Sequence, residues 1–167
     1  MSQTIDRPAN ESGRSADALT RELLRWVEHS LWANLKWAEY VHTQPDPEGR
    51  ARELLAHIMV GERVWFERIE GEQKSTAVFR VLPDEILVEG FRQNAQTYRE
   101  LLAGDCERVV QFRRATGEEY HARVLDVITH LLTHGYHHRG QLAALYASNT
   151  ITYPSTDHID FLMANRL

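Results

Sequence analysis

The chain has 167 residues, enough for one domain with a substantial core, and its 43% hydrophobic and 26% charged content is ordinary for a globular protein. A net charge of −5 without a basic cluster argues against partners such as nucleic acid or an anionic membrane surface. The single Cys106 cannot form an internal disulfide and suits a reducing compartment. Because no apolar signal segment or membrane-spanning stretch is evident, we expect a cytoplasmic protein.

The N-terminal part of the chain predicts a tail followed by a helix. Residues 1–15 are polar and indicate a flexible tail ahead of a single domain over 16–167. From Asp17 to about Val41, apolar side chains recur every three to four residues, which predicts an amphipathic helix. Its three tryptophans are interpreted as packing residues.

Two more helices are predicted in the middle of the chain. One spans about 49–69, and His57 lies at the margin of its apolar face. The segment 71–82 has weak signals and is interpreted as a linker. Pro83, followed by two acidic residues, is typical of a helix start and predicts a third helix that ends at Gly104.

The last third of the chain adds a hairpin and two helices. Between Glu107 and Ala122 the hydrophobic period changes, which predicts a short β-hairpin with its turn at Thr116-Gly117. A fourth long helix follows over 124–147, and a short helix over 157–165. The order predicts an all-α four-helix bundle with a hairpin before helix 4 and a short C-terminal helix. The hairpin edge and the aromatic first helix favour a homodimer without requiring one.

The fourth helix contains four of the nine histidines within nine residues. At about 100° per residue, His134 and His138 point inward one turn apart, whereas His130 and His137 lie at the edge of the buried face. This spacing lets a helix offer two imidazoles to one metal ion, although a hydrogen-bonded pair of core histidines is the alternative. A metal site needs a third protein ligand, for which His57 is the best-placed candidate.

Two motifs resemble the DinB family: HIMVGERVWFER from His57, and HLLTHGYHHRGQ from His130. The resemblance covers nearly the whole chain and implies a four-helix bundle that binds one divalent metal ion through three histidines. By position these are His57, His134 and His138, the trio chosen above from helix geometry. Some relatives transfer a low-molecular-weight thiol, such as bacillithiol or mycothiol, to an electrophile, whereas most have no assigned activity.

Three neutral imidazoles leave a divalent ion with its full charge and an open position, as in catalytic sites. The reacting group would then be a metal-bound water or thiolate, which permits either hydrolysis or thiol transfer. Gly135 stands where a His-Glu-x-x-His protease has its glutamate base, which argues against a conventional metalloprotease. Zinc is the default metal, and nickel also suits three imidazoles.

Six side chains are candidates for a supporting role around the ligands: His130, His137, Glu53, Asn34, Gln141 and Arg139. The carboxylate and the two amides are candidates for orienting a ligand ring, and each is equally well explained as a solvated side chain. Arg139 is a candidate for a structural pair with a carboxylate or for holding an anionic substrate. Glu62 and Trp65 are interpreted as bundle contacts. The remaining histidines are expected to be exposed: His29, His42, His121 and His158.

We therefore expect a metal-dependent enzyme that acts on a small-molecule substrate, with transfer of a low-molecular-weight thiol in detoxification as the favoured chemistry. One alternative is a metal-dependent hydrolase that uses metal-bound hydroxide. Another is a non-catalytic metal-binding stress protein. Activity that appears only when a thiol is supplied distinguishes the first from the second.

Overall fold

A computed structural model describes residues 9–72, 77–113 and 117–165. The elements in chain order are α1 (Ala9–Thr43), α2 (Arg50–Ile69), α3 (Asp84–Ala103), β1 (Val109–Arg113), β2 (Glu119–Arg123), α4 (Val124–Ser148) and α5 (His158–Asn165). A single 3-10 turn, Pro47–Gly49, leads into α2. The predicted fold is confirmed: four long helices, a hairpin before the last of them, and a short C-terminal helix.

The element boundaries differ from the predicted ones mainly at the N-terminus. Helix α1 begins at Ala9, well before Asp17, so the part of the predicted tail from Ala9 onward belongs to the helix. The rest of the predicted tail, residues 1–8, lies outside the described residues, and the domain boundary at 16 stays a prediction. In the predicted hairpin turn, Thr116 also lies outside the described residues, while Gly117 has a φ of 89°, which favours glycine.

The helices pack in two main pairs, α1 against α3 and α2 against α4. Helix α2 is central, since its side chains are buried without interruption from Leu54 to Glu62. The antiparallel hairpin covers one end of the bundle, where Val110 and Phe112 point inward and Phe112 meets Trp65 edge to face. The inner faces of α2 and α4 therefore meet in the interior, and this pair positions the histidines.

Within the described ranges, no helix combines the length and the apolar character that crossing a bilayer requires.

One of the histidines expected at the surface is fully buried, so that expectation is wrong for His29. Its Nε2 donates to the Thr156 carbonyl at 2.9 Å, and its Nδ1 accepts from the Tyr136 hydroxyl at 2.6 Å. This ring therefore ties the segment before α5 to α1 and α4. His158 is half-buried beside it, whereas His42 and His121 are exposed as expected.

Candidate metal site

Three histidines from α2 and α4 converge at one place in the bundle. The Nε2 atom of His134 lies 3.3 Å from Nε2 of His57 and 3.0 Å from Nε2 of His138. One ring nitrogen from each residue lies within 4.8 Å of the other two. His57 and His138 are 9% and 8% exposed and His134 is half-buried, so the cluster is recessed.

The spacing of these nitrogens fits a bound ion. With metal–nitrogen bonds of about 2.0–2.1 Å, tetrahedral geometry requires nitrogens about 3.3 Å apart, and a right-angled arrangement about 2.9 Å. Both observed distances lie in this range. Hydrogen bonding alone explains them less well, because Nε2 of His134 carries either one hydrogen or one lone pair and faces two other nitrogens. A divalent ion held by the three residues would use one lone pair from each ring.

All three rings have pKa values below the ordinary value of histidine. Burial is the largest cause in each case, and it lowers the pKa of His134 to about 4, helped by the charges of the neighbouring histidines. The charge of His138 further lowers the pKa of His57, with partial opposition from the Val78 backbone, and a hydrogen bond partly offsets the effect of burial on His138. The imidazoles are therefore neutral at neutral pH, the form that binds metal.

Gln141 orients one of the three rings. The Nδ1–H group of His138 donates to the Gln141 side-chain oxygen at 2.8 Å, which leaves the lone pair of this ring on Nε2, toward the cluster. The amide nitrogen of Gln141 donates in turn to Nε2 of His137 at 3.0 Å. His137 is thus connected to His138 through the side chain of Gln141. No side chain among the described residues binds the buried Nδ1 atoms of His57 and His134.

Two of the predicted supporting residues contact other groups. The Glu53 carboxylate accepts from Arg50 at 2.7 Å, so it does not orient the His57 ring one turn away. The Asn34 side-chain oxygen accepts from Arg139 at 2.8 Å, on the face of α4 that meets α1. His130 lies at the rim as expected, with its ring centre 5.7 Å from that of His134 and its edge against Trp65.

Arg139 is buried in the bundle and 4% exposed. Its guanidinium donates to Asn34 and to the Ser30 hydroxyl and lies over the Tyr136 ring, 4.7 Å from its centre. Of the two roles predicted for Arg139, a structural pair with a carboxylate is not seen among the described residues: its hydrogen-bond partners are an amide and a hydroxyl, because the side chain lies on the face of α4 that meets α1. This burial leaves almost no surface with which Arg139 could hold a substrate.

Sequence reasoning missed the environment of Glu62. This carboxyl group is 2% exposed and accepts hydrogen bonds from the Asn94 amide and the Tyr98 hydroxyl. Burial raises its pKa to about 7, against the opposing effects of those two contacts and of Arg139. The signal available in the sequence was an acidic residue, Glu62, that directly follows the mainly apolar run from Leu54 to Gly61.

Sequence reasoning also missed Phe79. The ring of Phe79 stacks on His57, with ring centres 4.0 Å apart and planes inclined by 10°. Phe79 falls in the segment interpreted as a linker, where no periodicity could have revealed that its ring covers a candidate ligand.

The DinB family model matches residues 27–165, a range that includes both histidine motifs and all four long helices from the middle of α1 onward. The chain belongs to the DinB family. Comparison with curated proteins finds no match. Membership in the DinB family and a three-histidine cluster that could hold a metal ion together fit a metal-binding protein of this family.

Proposed function

We propose that this DinB-family protein is a metal-dependent enzyme that transfers a low-molecular-weight thiol to an electrophilic small molecule. The proposal is carried by the convergence of three neutral imidazoles from α2 and α4 in a recessed site. A divalent ion, zinc or nickel, held there by His57, His134 and His138 would supply a positive charge that favours the thiolate form of a thiol.

The side chains at the cluster argue against a hydrolase that uses a glutamate base beside the metal. Among the described residues, the group of possible ligand side chains whose donor atoms lie within 4.8 Å of one another consists of the three histidines and includes no carboxylate. Zinc hydrolases of the His-Glu-x-x-His type use a glutamate as the base that activates water. A thiol needs no such base, because positive charge alone lowers its pKa.

Other side chains of the site have roles in positioning and in excluding water. Gln141 holds the His138 ring with Nε2 toward the cluster. Phe79 covers one face of His57, which shields that side of the site from solvent. Trp65 and His130, in edge-to-face contact with ring centres 5.3 Å apart, form the wall nearest the hairpin.

The experiment is an assay of zinc- and nickel-loaded protein with a chromogenic electrophile, with and without added thiol. We expect turnover that requires both metal and thiol, that is lost in His134→Ala, and that persists in His121→Ala, since His121 is exposed on the hairpin. Turnover of ester or amide substrates without any thiol would favour the hydrolase instead. A metal-loaded protein without turnover in either assay would favour a non-catalytic metal-binding protein.

A further inference from the structure

One arginine lies at the border of the three-histidine site. Arg50 is the first residue of α2 and lies two turns before His57, on the same side of the helix.

Arg50 is connected to the site by the ring of Phe79. The guanidinium carbon lies 5.2 Å from the centre of the Phe79 ring, which stacks on His57. A candidate metal ligand, an aromatic surface and a cation thus follow one another along one wall. Phe79 is 49% exposed, so this wall is open to a ligand that lies along it.

The guanidinium of Arg50 is available to a ligand. Its ion pair with Glu53 joins two side chains that are 44% and 37% exposed, and pairs this exposed exchange partners at small cost. Arg139 differs, because it is buried and committed to contacts with α1. A planar guanidinium at the mouth of a site matches the geometry of a carboxylate.

We propose that the thiol taken by this site bears a carboxylate, and that Arg50 is the specificity-determining residue that binds it. The sulfur would lie at the histidine cluster, and the hydrocarbon between sulfur and carboxylate would pack on Phe79. This inference rests on the proposed function. It adds the chemical class of the thiol and the residue that selects it.

The test measures binding and does not depend on turnover. Cobalt-loaded protein is titrated with pairs of thiols that differ only in the carboxylate: 3-mercaptopropionate against its amide, and 6-mercaptohexanoate against its amide. Binding is read from the sulfur-to-cobalt charge-transfer absorption. We expect the acid of at least one pair to bind about five- to tenfold more tightly than its amide, a preference that weakens with salt.

Substitutions test whether Arg50 causes the preference for the acid over the amide. Arg50→Gln should bring the ratio of acid to amide affinity close to one, and Arg50→Lys should keep part of the preference. Glu53→Gln should increase the preference, because it removes the competing carboxylate. The control is Arg99→Gln, which removes a similarly exposed guanidinium from an ion pair with Glu28 on α1 and should leave the preference unchanged.

The possible failures are distinguishable. An equal affinity for acid and amide in the wild type, or a preference that survives in Arg50→Gln, would overturn the role of Arg50 and leave thiol binding intact. The absence of any charge-transfer band with all four thiols would overturn the proposed thiol chemistry, and the carboxylate inference with it.

Discussion

The contact between Gln141 and His138 allows a sharp prediction about metal affinity. Replacing Gln141 by leucine removes the oxygen that accepts the Nδ1–H group of His138 at 2.8 Å, while the size of the side chain changes little. The ring is then free to carry its hydrogen on Nε2, the tautomer that cannot bind a metal at the cluster. We expect Gln141→Leu to weaken metal binding without unfolding the protein.

The size of the effect follows from the exposure of the contact. Loss of an orienting contact of this kind typically lowers metal affinity by about 10- to 100-fold. Because Gln141 is exposed, water can replace part of the lost acceptor, so we expect the lower end, about tenfold or about 1.4 kcal/mol. Gln141→Glu should bind metal more tightly than the wild type, because a carboxylate accepts a stronger hydrogen bond from Nδ1–H.

The assay is a competition for zinc between the protein and a chromogenic chelator. The control is Gln96→Leu, which removes an exposed glutamine on α3 that is bonded to Glu100. An affinity of Gln141→Leu equal to that of the wild type and of this control, together with loss of binding in His138→Ala, would refute the orienting role of Gln141.

Three further predictions concern stability. Glu62 has a folded-state pKa of about 7 against an ordinary value of 4.5, so the folded protein binds more protons between these values and stability falls as pH rises through this window. At about pH 8, Glu62→Gln should be more stable to urea than the wild type by up to about 3 kcal/mol, with little difference at about pH 4; equal differences at both pH values would contradict this. Arg139→Gln should lower stability by about 2 kcal/mol, because Asn34 loses its buried donor, while the metal content stays unchanged; metal loss without destabilisation would argue for a site role instead. Zinc at about 100 times its dissociation constant should stabilise the wild type by about 2.7 kcal/mol in thermal unfolding and should leave His134→Ala unchanged; equal stabilisation of both proteins would indicate binding elsewhere.

Much of the fold was predictable because its signals are local. The amphipathic period of each long helix, the proline and acids at the start of α3 and the change of period before α4 all act within a few residues. The proximity of His134 and His138 also follows from helix geometry. His57 was the best-placed third candidate from its position at the margin of the apolar face of α2, and the family resemblance agreed, although its proximity to the other two depends on which helices pair.

The contacts that sequence reasoning missed depend on tertiary packing. Whether Asn34 meets a ligand ring or Arg139 depends on how α1 packs against α4, which no local pattern specifies. The burial of His29 arises in the same way, through the loop that carries Thr156. Phe79 reaches His57 from an irregular segment without any period. The homodimer, the cytoplasmic location and the absence of nucleic-acid and membrane partners stay predictions.

The most direct test of the metal site is elemental analysis of the protein purified without chelators and without a histidine tag, beside His134→Ala. We expect about one zinc or nickel ion per chain in the wild type and none in the variant, because His134 Nε2 faces both other nitrogens. Absence of metal from the wild type, even after reconstitution, or an unchanged metal content in His134→Ala, would contradict the three-histidine site.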